Sequence, residues 1–353
     1  MKALILVGGL GTRLKPITDS IPKHLIPLGN RPLIFYVFDK IIDSGIKDIG
    51  LVVSPNNKSF FQDSLDHYDK GLNISIIIQE QPLGVAHAVS IAKDFLSDDS
   101  FLLYLGDNLF KDNLKVIVDD FKKGSPDASI VLKKVENPSS FGVAERDKSG
   151  QIIKVMEKPP NPPTDLAVVG IYCFSPIIHK AIGEIKPSTR GELEITDAIQ
   201  YLLDENIVIL STELTGWWLD CGTFDDLLLG NQKVIKKIIL DLKNQNIQFP
   251  YGSEIIVGEN SKIIDSVIEG PAIIGENCLL QNSIIEKNTS IQSNSIVINS
   301  KLQNSILMGN VKIKNINLIS DSIIGNHCNI ESKKSHKGIS KLILGNNSSK
   351  ILD

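Results

Sequence analysis

A glycine-rich loop followed by two spaced cations is the first chemical signal. Gly8-Gly9-Leu10-Gly11-Thr12-Arg13-Leu14 comes directly after the apolar run Ala3-Leu4-Ile5-Leu6-Val7, and Pro22-Lys23-His24-Leu25 follows shortly after. Glycines let the backbone approach phosphates closely, and amides after a strand can cradle them. Arg13 and Lys23 add positive charge of the kind that a preorganised site uses to stabilise a reacting triphosphate. The loop has neither the Gly-Lys-Ser/Thr ending of a P-loop nor the full GxGxxG of a dinucleotide fold.

Carboxylates supply the second signal. Asp107 follows the apolar run 101–105. It therefore belongs at a strand C-terminus, where open α/β sheets bind ligands. Asp220 follows Trp217-Trp218-Leu219. Two carboxylates that converge repel each other unless a cation sits between them, and Mg²⁺ takes such oxygens together with substrate phosphate oxygens. Either Asp alone fits a turn or a helix cap equally well. Glu157-Lys158, taken alone, fits a solvated surface pair. Gln79 stands five residues before Gly84 and offers both an amide donor and an acceptor. None of the six histidines has a Ser or Cys nucleophile motif beside it. His87 fits packing or an indirect contact. His327 and His336 fit surface histidines, or, on the alternative reading, the base of an acyl transfer.

The elements that must hold these residues show in the apolar pattern. Runs at 3–7, 49–53, 74–78 and 101–105 are of the buried-strand type. Helical periodicity lies between them at 32–44, starting from Pro32, and at 84–96, and returns at 193–204 and 223–246. Strand–helix alternation predicts a doubly wound α/β sheet with Rossmann-like order. Residues 128–174 read as strand-rich. After Pro250-Tyr251-Gly252 the composition turns to Asn, Ser and Ile. Asp265-Ser266, Asn282-Ser283 and Asn299-Ser300 are 17 residues apart (282 − 265 and 299 − 282), with aliphatics recurring about every six. That period predicts a parallel β-helix of hexapeptide type. A low-complexity Asn/Ser segment would lack such spacing. With 353 residues two domains are expected, 1–245 and 246–353. The net charge of −4 offers no general attraction to nucleic acid or an anionic membrane, so neither partner is expected. Four scattered cysteines and the lack of a signal or membrane-spanning run predict a reduced, cytoplasmic setting.

In their order along the chain these motifs resemble the sugar nucleotidylyltransferases, whose signature is GGxGTRL followed by PKxL or SKxL. The glucose-1-phosphate thymidylyltransferases, in their long form, are the most similar. Leu105-Gly106-Asp107-Asn108, Phe141-Gly142-Val143-Ala144-Glu145, Glu157-Lys158-Pro159, Arg190-Gly191-Glu192-Leu193-Glu194-Ile195-Thr196-Asp197 and Trp218-Leu219-Asp220-Cys221-Gly222-Thr223 carry the resemblance, with the tail extending it. The resemblance implies a nucleotide site of Leu6, Gly8, Gly9, Gly11, Thr12, Arg13, Lys23, Gln79, Gly84 and Asp107. It implies a sugar-phosphate site of Phe141, Gly142, Glu157, Lys158, Val168, Arg190, Thr196 and Trp218. Arg13, Lys23 and Lys158 would be catalytic, and Asp107 and Asp220 would hold Mg²⁺. The implied reaction is attack by glucose 1-phosphate on the α-phosphorus of dTTP, giving dTDP-glucose and pyrophosphate. UTP presents the same base edge apart from one methyl, so a uridylyltransferase is the runner-up. A bifunctional nucleotidylyltransferase/acetyltransferase and a catalytically idle regulatory homologue are further alternatives. Two positions depart from the family: His24 stands where Gln is usual, and Phe141 where some members have Tyr. The resemblance also makes the β-helix left-handed, and the expectation for it is association into a homo-oligomer rather than chemistry. Lys333, Lys334 and Lys337 read as a solvated link to a last apolar strip at 339–344 that folds back on the coil or on a neighbouring subunit.

Overall fold

Apolar runs without polar alternation need cover on both faces; three of the four expected ones become central parallel strands, whereas 74–78 lies in the edge strand of the sheet and is only partly buried. The computed structural model describes residues 1–68, 70–252 and 254–352, and of 333–337 the backbone only. The four expected strands appear as β1 (Lys2–Leu6), β2 (Asp48–Val53), β3 (Asn73–Ile78) and β4 (Phe101–Leu105). β1 lies between β4 and β2, β3 follows β2, and all these pairings are parallel. The strand-rich stretch adds β5 (Asn108–Phe110), β6 (Ala128–Lys134), β7 (Gly142–Arg146), β8 (Ile152–Glu157) and β9 (Leu166–Phe174). β10 (Ile209–Glu213) and β11 (Trp218–Asp220) complete it. The main sheet runs β8-β7-β9-β4-β1-β2-β3, with β6 joining β9 to β10. β5 and β11 form a separate antiparallel ladder.

The four expected helical stretches form with shifted bounds, and further helices, such as Leu114–Gly124, lie outside those expected. α1 (Leu33–Asp43) starts one residue later than Pro32, because Pro32 pairs with Pro27 in a short bridge. The stretch 84–96 divides into α2 (Val85–Ile91) and a single turn at Lys93–Leu96, with the break at Ala92. α3 (Leu114–Gly124) and α4 (Ile195–Asp204) are amphipathic. α5 (Phe224–Asn244) opens with a capping box: Thr223 Oγ1 accepts from Asp226 N at 3.2 Å, and Asp226 Oδ2 accepts from Thr223 N at 3.0 Å. Among the described residues no helix is long and apolar enough to cross a membrane.

In space the chain forms two compact units, one of residues 1–9 and 34–220, the other of 10–33 and 221–353. The core of the first gathers Leu4, Val52, Ala86, Leu103, Ile130 and Ile199 between sheet and helices. The second is built on the expected left-handed parallel β-helix. Its inward residues stack in columns: Leu280, Val297, Ile313 and Ile330 in one, Ile274, Ile291, Leu307 and Ile324 in another. All of these are buried, and each contributes about 1.5–3 kcal/mol of transfer free energy. The Asn-rich composition has a backbone cause. Asn260, Asn277, Asn294, Asn310 and Asn347 turn one corner of successive coils with φ between 54° and 63°, a left-handed conformation that Asn tolerates best after Gly. His327 takes the same corner with φ 59°, which gives this histidine a structural role. The side chains of Lys333, Lys334, His336 and Lys337 lie outside the described residues. Beyond them Ile343–Leu344 pair with Ile323–Ile324 as the last rung of one face of the coil, and Ser349–Leu352 pair with Asn329–Ser332 on another.

Candidate functional site

In the first unit, strand ends converge on the loops that carry the motifs. Gly106 donates its N–H to the Leu6 carbonyl at 2.9 Å, so the chain leaves β1 and β4 side by side and Asp107 follows at once. Gly8 lies against Gln79 at the end of β3: a Cβ on Gly8 would stand 3.4 Å from Gln79 Oε1. Gln79 Nε2 donates to the Gly84 carbonyl at 3.1 Å and lies 3.0 Å from His87 Nδ1. The amide is thus held with its oxygen toward the glycine loop, and His87 touches it directly. Gly84 has φ 103°, and a Cβ there would collide with the Leu193 backbone. That close approach ties this loop to the Arg190–Asp197 motif through Ala86 N–H to the Leu193 carbonyl at 3.0 Å.

The two carboxylates are placed by the β5–β11 ladder, whose register sets Asp220 opposite Asn108. Asp107 is the residue before Asn108, so Asp107 and Asp220 both stand at one end of the ladder. Asn108 is buried and fully used. Its Nδ2 donates to Asp107 Oδ1 at 2.9 Å, its Oδ1 accepts from Trp218 Nε1 at 2.6 Å, and its carbonyl accepts from Tyr104 Oη at 2.8 Å. The motif contained Asn108, but spacing alone gave it no role. Asp112 was also missed. It accepts from Thr215 N, Thr215 Oγ1 and Gly216 N at 2.8–3.0 Å, fixing the turn that enters β11. Although burial acts to raise its carboxyl, these bonds hold it below the usual carboxylate range. Asn108→Ala would strip a partner from both Asp107 and Trp218. The sugar-phosphate KM and the Mg²⁺ concentration for half-maximal rate are each expected to rise about five- to tenfold, the loss of roughly one hydrogen bond apiece. Kinetics over a metal titration will check both; a shift in neither removes the relay.

The sugar-side residues also meet. A Cβ on Gly142 would lie 2.9 Å from Thr196 Cγ2, 3.4 Å from Glu157 Oε2 and 3.6 Å from Val168 Cβ, so only glycine leaves that space. Thr196 Oγ1 donates to Glu157 Oε2 at 3.1 Å. Glu157 Oε1 is 3.5 Å from both Lys158 Nζ and an Arg190 guanidinium nitrogen. Arg190 also pairs with Glu192 and, at 3.4 Å, with Glu194. Phe141 meets Trp218 edge-on with ring centroids 5.0 Å apart. Glu157, Lys158, Arg190, Glu194 and Asp197 line a cavity of about 520 Å³. Burial pushes the Glu194 and Asp197 carboxyls up, and the charge of Glu157 adds to both shifts. Lys158 stands in the left-handed region at φ 41°, with its N–H on the Phe141 carbonyl at 3.1 Å.

Gly11, Thr12, Arg13 and Lys23 belong to the second unit, since the units divide between Gly9 and Leu10. Gly11, at φ 62°, begins the single turn Thr12–Leu14, and a Cβ there would press 2.9 Å from Thr18 Cγ2 and 3.4 Å from Lys23 Cβ. Thr18 Oγ1 donates to the Gly11 carbonyl at 2.8 Å. Arg13 is exposed and its guanidinium lies over Gly222, where a side chain would collide with it. Lys23 is buried. Gly9 has open space around it.

Comparison with known proteins gives a consistent picture. The family model for nucleotidyl transferase matches residues 2–237. A glucose-1-phosphate thymidylyltransferase of Streptomyces griseus is 39% identical over 354 residues, spanning 99% of this chain and 98% of its own. A bifunctional protein GlmU of Methanococcus aeolicus is 38% identical over 94% of this chain and 79% of its own length. Among solved structures, a Bacillus anthracis protein described as a glucose-1-phosphate thymidylyltransferase in complex with sucrose superposes with a TM-score of 0.62. It is 35% identical over 65% of this chain and 94% of its own.

Proposed function

Since the chain belongs to the nucleotidyl transferase family and is an enzyme of that class, we propose that it makes dTDP-glucose from dTTP and glucose 1-phosphate, releasing pyrophosphate. The observation that carries this reading is the β5–β11 register, which sets Asp220 opposite Asn108, the residue after Asp107, in the same unit as the Gly142, Glu157 and Thr196 contacts. The near-full-length similarity to a thymidylyltransferase supports the choice of substrates.

The acceptor phosphate is already anionic and nucleophilic, so the reaction needs no strong general base. An oxygen of glucose 1-phosphate attacks the α-phosphorus of the nucleotide, and the bond to the pyrophosphate oxygen breaks. Rate comes from aligning the two substrates and from stabilising charge. Glu157 and Thr196 take sugar hydroxyls, Lys158 steers the attacking phosphate, and Arg190 holds Glu157 and Glu194 in place. Gln79 presents its amide to the thymine or uracil edge. Arg13 and Lys23 stabilise charge on the triphosphate. The donor set of Asp107 and Asp220 suits Mg²⁺, a hard cation that takes one or two carboxylates and completes its shell with phosphate oxygens and water. When bound there, Mg²⁺ supplies charge neutralisation on the phosphates.

On this reading residues 1–245 carry the chemistry and 246–353 the coil of a cytoplasmic homo-oligomer. All four cysteines are buried. The test is pyrophosphate release over a grid of dTTP, UTP, CTP, GTP and ATP against several sugar 1-phosphates. The fastest turnover is expected with dTTP and glucose 1-phosphate, with UTP next. A best rate with GTP and mannose 1-phosphate, or with ATP, would overturn the assignment.

A further inference from the structure

The β-helix does not end in solvent at every corner. At one corner three of the coils present a backbone N–H to a side chain from the coil above. Glu276 N donates to Ser293 Oγ at 3.2 Å, Gly309 N to Asn326 Oδ1 at 3.0 Å, and Asn326 N to Asn346 Oδ1 at 2.8 Å. After the last coil the ladder takes one more step: Asn346 N donates to Ser20 Oγ at 3.3 Å. Ser20 is not a β-helix residue. It lies in the loop that begins at Gly11 and ends at Lys23, and it passes the bond on by donating to the Ile17 carbonyl at 3.3 Å.

The glycines next to that corner repeat the pattern. A Cβ on Gly275 would meet Ser293 N of the next coil at 2.5 Å, and one on Gly325 would meet Asn346 N at 2.7 Å. On Gly345, in the last coil, it would meet the Pro16 carbonyl at 2.8 Å. Pro16 to Ser20 thus occupy the place of a further coil and cover backbone groups that a coil end would otherwise expose. The same coil reaches the first turn of α5 through Lys341 Nζ, 3.4 Å from Asp225 Oδ1. That exposed pair contributes little by itself.

We propose that the last coil, Leu342–Asn346, is a positioning element for the nucleotide loop, acting through Pro16 and Ser20 on the Gly11–Leu14 turn, whose backbone meets the triphosphate in the ground state. From Ser20 and Ile17 the support passes to Thr18, whose hydroxyl holds the Gly11 carbonyl. Gly11 in turn accepts from Leu14 N at 2.9 Å and closes the turn that carries Arg13. The coil therefore has a role in triphosphate binding beyond assembly. The proposal rests on the assignment of the Gly11–Arg13 loop to the nucleotide.

The test is steady-state kinetics on full-length variants, with KM for the nucleoside triphosphate and for the sugar phosphate measured separately. Ser20→Ala is expected to raise the triphosphate KM about fivefold, the effect of one neutral hydrogen bond, and to leave the sugar-phosphate KM unchanged. Ser20→Thr keeps the hydroxyl and restores the wild-type value. Gly345→Ala, whose methyl presses on Pro16, moves the triphosphate KM in the same direction. Asn326→Ala breaks the same ladder one coil further in; it lowers the thermal midpoint and leaves both KM values alone. The proposal fails if Ser20→Ala and Gly345→Ala keep the wild-type triphosphate KM while Arg13→Ala loses rate. It also fails if Asn326→Ala raises both KM values as Ser20→Ala does, since general coil stability then explains the effect. If Arg13→Ala itself retains full rate, the nucleotide assignment of the loop falls first and the proposal with it.

Discussion

Asp107→Asn and Asp220→Asn should each reduce turnover by about 10³-fold or more, the scale of several kcal/mol of lost charge stabilisation at a metal-assisted phosphoryl centre. Each change removes a negative charge and leaves size and shape nearly intact. The fold has little reason to respond. Asp220 is held in β11 by backbone pairing with β5, which the substitution does not touch. At position 107 an amide oxygen can still accept the 2.9 Å bond from Asn108 Nδ2. The measurement is turnover over a full Mg²⁺ titration, with circular dichroism as the check on folding. Near-wild-type activity at saturating metal would remove that residue from the metal site. Asn108→Ala separates the carboxylate from its support: it should raise the metal requirement far less than loss of the carboxylate, because the charge stays and only its orientation loosens.

Much of this arrangement is legible in the sequence for physical reasons. Continuous apolar runs cannot face water on either side, so 101–105 reads as a buried strand and forms one. Aliphatics at six-residue steps have only one economical packing, the stacked coil, and the Leu280–Val297–Ile313–Ile330 column is its result. The Asn-rich composition, which on its own reads as low complexity, is required by left-handed corners such as Asn277 and Asn294. The five-residue step from Gln79 to Gly84 is short enough that local geometry brings the amide to the Gly84 carbonyl. What stayed hidden was what packs against what. Ala92 continues the apolar period and is no helix breaker, so the division of the 84–96 helix has no sequence signal. Composition marks where the coil begins, but not that residues 10–33 and α5 join it in one compact unit. Gly29 N donates to Asn231 Oδ1 at 2.7 Å, and Ser290 Oγ donates to the same oxygen at 3.0 Å. One buried amide on α5 thus links three segments far apart in sequence. Likewise Asn108 sits inside a recognisable motif, yet its value lies in two partners that only the β5–β11 register supplies.

Lys158→Ala and Arg13→Ala should fail in different ways, and the contrast tests the division of labour between the two cations. Lys158 is fixed by its backbone: the left-handed φ of 41° and the N–H bond to the Phe141 carbonyl aim its side chain from the end of β8, beside Glu157. Alanine keeps that backbone strain, so the comparison isolates the ammonium. If Lys158 holds the acceptor phosphate in both ground and transition states, its loss removes uniform binding. The sugar-phosphate KM then rises, about 10- to 100-fold for a hydrogen bond to a charged group, while the nucleotide KM hardly moves. Arg13 is placed to meet charge that grows as pyrophosphate departs. Its loss should lower kcat and kcat/KM together by about 10²- to 10³-fold, the equivalent of roughly 2.7–4 kcal/mol seen when an oxyanion donor is removed. Gly222 offers an independent handle, because any side chain there would displace the Arg13 guanidinium without altering its charge. Gly222→Ala should therefore resemble Arg13→Ala in kind and be smaller in size. Full kinetics in both substrates for the three variants gives the answer. Small, equal effects on every parameter would mean that Arg13 and Lys158 are surface charges, and the assignment of the loop and of the Glu157-Lys158 pair would have to be withdrawn.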